Sequence, residues 1–121
     1  MIKKIIVSLI GLSFLALFTG CATTKISASN LYWGDYSKTL YELKKEPGSD
    51  TKAAHINELN SIIEKSNELN LRVPPGLYAE LGMYMLNEGK KNTANKYFNL
   101  ELKTYPESKA MVFQILKNSK S

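Results

Sequence analysis

Residues 75–106 read PGLYAELGMYMLNEGKKNTANKYFNLELKTYP, and this stretch decides the fold. Tyr78, Leu81 and Met85 recur at three- and four-residue spacing, one face of a helix expected over 75–87. Pro75 suits the first turn of such a helix, and Gly89 suits the left-handed residue that ends it. Ala94, Phe98 and Leu102 repeat the spacing over 92–105, with Tyr97 beside them, and Pro106 interrupts. Two amphipathic segments joined by a short polar link predict a helical hairpin.

Working outward, the same period continues. Over 31–46 it is carried by Trp33, Tyr36, Leu40 and Leu43, with Asp35 as N-cap, Lys44 and Lys45 near the C-terminal dipole, and Pro47-Gly48 as the stop. Over 50–70 the stripe is Ile56, Leu59, Ile63 and Ser66, widened by Ile62 and Leu69, and Asp50 can cap it. Over 107–117 the apolar side is Val112, Phe113 and Leu116. No segment alternates with period two for long enough to make a strand. The expected fold is all-α, with about five helices over 31–118 and a polar tail over 119–121.

Tyr78-x-x-Leu81-Gly82-x-x-Met85, Ala94-x-x-x-Phe98 and Pro106 together resemble a tetratricopeptide repeat, a helix-turn-helix unit of about 34 residues. The resemblance implies that Gly82 and Ala94 are small because two helices approach closely there. Phe98 would then fill the space between them and Pro106 would end the unit. Two positions depart from the family pattern: Met85 stands where Tyr is common, and Glu101 where a small Ala is usual. Residues 36–70 share the layout without the signature and read as a degenerate repeat, with the final helix as a cap. The repeat register places Ala79, Met83, Leu86 and Asn87 on the partner-binding side. It also leaves a competing reading, in which the chain's own final helix fills that groove.

The amino-terminal stretch is different in kind. Lys3 and Lys4 precede an uncharged apolar run over 5–18, and Thr19-Gly20-Cys21 follows. A membrane-spanning helix needs about 20 apolar residues; this shorter run reads as a signal peptide over 1–20. Leu17-Phe18-Thr19-Gly20-Cys21 resembles the lipobox of bacterial lipoproteins, with Phe18 in place of the more frequent Leu. That resemblance implies lipid attachment at Cys21 and cleavage before it. The segment over 21–30 becomes a Ser- and Thr-rich tether. Ala22 follows where Asp would retain an enteric lipoprotein in the inner membrane, so the resemblance implies an outer-membrane address facing the periplasm.

Composition removes most chemistry. One Cys excludes an internal disulfide framework, and one His excludes a metal centre needing two. Losing Lys3 and Lys4 lowers the formal net charge from +5 to +3, too mild to indicate nucleic acid. His55 has Glu58 three residues on, half of a general-base pair at most, and reads as a surface or partly packed residue. Glu58, Glu64, Glu68 and Glu80 are scattered rather than paired for sugar hydrolysis. The glycines form no phosphate loop. No cofactor and no metal is expected. Tyr32, Trp33, Tyr36 and Tyr41 admit two readings, core packing or an interfacial contact.

Tyr32-Trp33-Gly34-Asp35-Tyr36 and 73–82, VPPGLYAELG, also make the chain similar to a group of small bacterial lipoproteins of unknown function. Members of that group often lie beside genes for curli-secretion-channel-like lipoproteins and another small lipoprotein. The resemblance implies envelope proteins as partners, besides the membrane itself. Two classes of function follow. One is a non-catalytic, lipid-anchored interaction adaptor in an envelope assembly. The other is an accessory or activating factor, less readily an enzyme, in cell-wall processing.

Overall fold

The computed structural model describes residues 30–120; the expected signal peptide, Cys21, the tether up to 29 and Ser121 lie outside the described residues. Five α-helices follow in order: α1 Tyr36–Lys45, α2 Ser49–Glu68, α3 Leu77–Asn87, α4 Lys91–Thr104 and α5 Lys109–Asn118. A 3₁₀ turn at Pro106–Ser108 precedes α5, and no strand occurs among the described residues. The protein is all-α, as its periodicity predicts. The connections 46–48 and 88–90 are short, so α1 packs on α2 and α3 on α4 as successive hairpins.

α3 is the centre. Its sequence is apolar nearly all round, the mark of a helix covered on more than one side. Leu77, Tyr78 and Leu81 face α2, where Leu59 and Ile62 complete a core with Val73. Ala79 faces the other way, into a second core with Ala94, Phe98 and Val112. Gly82 belongs to that second face. A Cβ there would stand 2.5 Å from Phe98 Cε1, so the ring lies directly against the α3 backbone.

The buried stripe of α2 is His55, Leu59, Ile62 and Ser66. The expected stripe shared Leu59, Ser66 and the widening residue Ile62 with it, but centred on Ile56 and Ile63 and left His55 out. Ile56 and Ile63 pack only at the edge of the core. The difference is a rotation of the helix that turns the polar His55 inward, an outcome that hydrophobic pattern alone disfavours. Trp33 precedes α1 rather than riding on it; its carbonyl accepts the Tyr36 N–H at 3.1 Å. Asp35 holds the N-cap position without a side-chain cap bond. Helix α3 starts two residues after Pro75, at Leu77.

Two helix ends close in the same way. Lys90 N–H reaches Met85 O and Gly89 N–H reaches Leu86 O, both at 2.9 Å, with Gly89 at φ +77. Leu71 and Asn70 do the same to Ser66 and Asn67, with Asn70 at φ 53. Both satisfy the last carbonyls of their helices through a left-handed residue.

The second core generates a stability prediction. Ala94 is fully buried against Phe98. Ala94→Leu is expected to overpack this contact and lower the thermal midpoint, at a cost of about 1–3 kcal/mol. An unchanged midpoint would contradict the packing described.

Candidate functional site

A cluster of ionisable groups forms around His55 where α1, α2 and α3 meet. α1 brings Tyr36 and Thr39 one turn apart, α2 brings His55, and α3 brings Glu80 and Tyr84. His55 is fully buried. Its Nδ1 lies 2.8 Å from Thr39 Oγ1 and its Nε2 lies 2.7 Å from Glu80 Oε1. Tyr36 donates its hydroxyl to the other carboxylate oxygen at 2.9 Å. The rings of Tyr36 and Tyr84 flank the imidazole at 5.3 and 6.4 Å, and Lys52 Nζ lies 5.6 Å from the Tyr84 centroid.

Carboxylate, imidazole and hydroxyl in line have the order of a hydrolase relay. The chemistry available here is narrower. Thr39 Oγ1 is also within reach of its own helix carbonyls, Tyr36 O at 3.2 Å and Asp35 O at 3.4 Å. Both oxygens of Glu80 and both nitrogens of His55 are engaged, so the cluster fastens three helices together. Burial, followed by the charge and hydrogen bond of Glu80, pushes the Tyr36 hydroxyl up to about 12. The same causes, burial first, raise Tyr84.

The other carboxylates act singly. Glu58 Oε1 accepts the Asp35 N–H at 2.7 Å and so secures the start of α1 from α2. Gly34 sits against that carboxylate at φ +49; any Cβ would collide with it and stand 3.1 Å from Ile62 Cγ1. Glu68 pairs with Lys65 on the surface at 2.7 Å, and Glu64 is exposed. Glu101 is fully buried. Its Oε1 accepts the Gly76 N–H at 2.9 Å and the Ser108 hydroxyl at 2.8 Å. The carboxylate that departs from the repeat pattern thus joins the turn before α3 to the turn before α5, while its Oε2 stays buried without a partner. Beside it, Tyr105 donates its hydroxyl to Val73 O at 2.8 Å and carries the Arg72 guanidinium 5.0 Å from its ring centre.

The repeat positions Tyr78, Leu81, Gly82, Ala94 and Phe98 are all buried, and Pro106 opens the 3₁₀ turn. The four groove residues separate. Ala79 is 1 % exposed beneath Val112, and Leu86 packs against the same core. Met83, Leu86 and Asn87 line a small cleft of about 210 Å³ closed on its far side by Ile115 and Asn118. Of the final helix, Val112 and Leu116 turn toward α3 and α4, whereas Phe113 turns out and Ile115 takes its place. Among the described residues no three His, Cys, Asp or Glu side chains group to hold a metal, and no helix is long and apolar enough to cross a membrane.

The Tyr36 hydroxyl makes the alkaline limit predictable. Its folded value, about 12, exceeds the ordinary 10.0, so its contribution is complete below pH 10 and is lost as pH rises toward 12. Tyr36→Phe lacks the hydrogen bond at every pH. The gap in urea midpoint between the two proteins is therefore expected to narrow from pH 10 toward 12. A constant gap would show that neither burial nor Glu80 holds the hydroxyl in its protonated form.

Comparison with known proteins gives one match and two blanks. No curated protein and no solved structure matches the chain. The family model that does match covers residues 31–115, from the segment before α1 into α5, and so includes both hairpins and the polar cluster. The chain belongs to the family described as a domain of unknown function (DUF4810).

Proposed function

We propose that this protein is a non-catalytic interaction adaptor, held by lipid on Cys21 at the periplasmic face of the outer membrane. In this reading the helical domain is tetratricopeptide-repeat-like, and its partners are other envelope proteins. The observation that carries the adaptor reading is the use of the polar and apolar groups. His55, Glu80 and Glu101 are consumed in holding helices together, while Met83, Leu100, Met111 and Phe113 stay exposed on α3, α4 and α5. Single exposed apolar side chains are ordinary on a surface, and Tyr41 and Leu69 are exposed on the other half; the four on three consecutive helices support protein contact. Lys3, Lys4, the apolar run and Cys21 support the anchor. Two or three acyl chains would hold the domain at the membrane, since each buried methylene contributes about 0.8 kcal/mol.

Cys21→Ser is expected to abolish palmitate labelling and leave uncleaved or released protein. Normal labelling of that variant would refute the anchor.

Met83 is 38 % exposed at the α3–α5 cleft, whereas Leu86 supports the core, so Met83 alone tests the surface. Cross-linking in intact envelopes is expected to give discrete adducts that weaken in Met83→Asp while the thermal midpoint is unchanged. Absence of any discrete adduct would count against the adaptor reading.

A further inference from the structure

α5 lies over α3 and α4 with Val112 buried in the Ala79–Ala94–Phe98 core. The next residue is turned about 100° round the helix. That residue is Phe113, and it is 67 % exposed. Beside it an apolar groove of about 680 Å³ runs between α5 and the end of α4, walled by Leu102, Pro106, Ala110 and Leu116. Leu116 also lines a second cleft, of about 660 Å³, whose rim carries Lys91, Asn95 and Lys120. The two clefts share Leu116 as a common wall and together make up a channel, apolar at the Pro106 end and cationic at the rim of the other.

The charge around it is mostly positive. Lys109 stands one turn before Phe113 and Lys117 one turn after, both exposed. Glu107 is the only carboxylate in either wall. The ion pairs among the described residues are His55–Glu80, Lys65–Glu68 and Lys90–Glu88, so Lys91, Lys109, Lys117 and Lys120 pair with no carboxylate among the described residues. A helix that ends a stack of hairpins ordinarily turns a polar face outward. α5 turns out an aromatic ring framed by lysines.

We propose that this channel docks an acidic amphipathic helix of a partner protein. Apolar side chains on one face of that helix seat between Leu102 and Phe113, and flanking Asp or Glu residues face Lys109, Lys117, Lys91 and Lys120. α5 is 10 residues long. At 1.5 Å per residue that is about 15 Å, so three turns of a partner helix fill the channel. A second copy of this chain fits poorly: antiparallel α5 helices crossing at Phe113 set Lys109 of one copy against Lys117 of the other. The proposal rests on the adaptor reading and specifies the partner's chemistry.

The test uses the full chain in detergent micelles and a fluorescent helical peptide with leucines at i, i+4 and i+7 between glutamates. A control peptide carries lysines for the glutamates. By fluorescence anisotropy the glutamate peptide is expected to bind and the lysine peptide not. Phe113→Ala weakens binding about thirtyfold, the scale of a hot-spot truncation. Lys109→Glu combined with Lys117→Glu abolishes the preference for the glutamate peptide, since only Lys91 and Lys120 remain to oppose the new carboxylates. All these side chains are exposed, so circular dichroism is expected to stay native. Equal binding of both peptides by the unsubstituted chain, or of neither by a native protein, overturns the proposal. A dimer that light scattering shows to depend on Phe113 assigns the face to a second copy and overturns it. So does protection of α5 from hydrogen exchange in phosphatidylglycerol but not phosphatidylcholine nanodiscs, which assigns it to the membrane surface. Envelope adducts that persist without peptide binding overturn this surface and leave the adaptor reading standing; loss of both overturns the adaptor reading itself.

Discussion

The Phe98 ring lies against a stretch of α3 backbone that has no Cβ, at Gly82, and the rest of the packing is arranged around that contact. It draws α4 close enough for Ala94 and Ala79 to share one small core. α5 can then cover that core with a single inward Val112. The opposite face of α3 is left to Leu77, Tyr78 and Leu81, which meet α2. A helix engaged on both sides in this way fixes the positions of all its neighbours. Interiors packed near crystal density allow little adjustment when one partner changes volume.

Apolar packing settles where the helices lie, and buried polar groups settle how they are joined. Three carboxylates work across element boundaries: Glu58 from α2 to the start of α1, Glu80 from α3 to α1 and α2, and Glu101 from α4 to the turns before α3 and α5. Glu80 and Glu101 accept hydrogen bonds from groups that would otherwise be buried or half-buried without a partner, whereas the Asp35 N–H held by Glu58 is exposed. Hydrogen bonds to a charged acceptor are the stronger class, and removing one partner leaves the other desolvated. Glu101 shows the limit of this economy, because one of its oxygens has no partner.

The hairpin of α3 and α4 was readable in the sequence because its signals are local: spacing, a Gly at 82, an Ala at 94, a Gly at 89. The helix count followed from the same period, together with Pro47, Pro74, Pro75 and Pro106. The polar cluster was not readable. His55 is 16 residues from Thr39 and 25 from Glu80 along the chain, and each reads as a solvent-facing residue when only its own helix is considered. One signal did exist. His55, Leu59, Ile62 and Ser66 keep four-, three- and four-residue spacing, and that register would have put the histidine inside. The role of Glu101 was half visible, as a departure from the repeat pattern, but its partners Gly76 and Ser108 emerge only when the turns are folded. The groove expectation divided because α5 settles on Ala79 and leaves Met83 at the edge.

α1 differs from every other helix of the domain in having no fully buried residue. Its attachment is a set of discrete bonds, Thr39 to His55, Tyr36 to Glu80 and Asp35 N–H to Glu58, with aromatic edges between them. Such bonds are individually modest in net free energy, whereas α3 is packed into two buried clusters, one with α2 and one with α4 and α5. Local opening free energies in folded proteins follow this kind of difference. The domain is therefore graded rather than uniform in its cooperativity. α1 is its outermost unit, able to open and reclose while the α3–α4 pair stays shut, so the backbone amides at the amino-terminal end exchange with solvent far ahead of those at the centre.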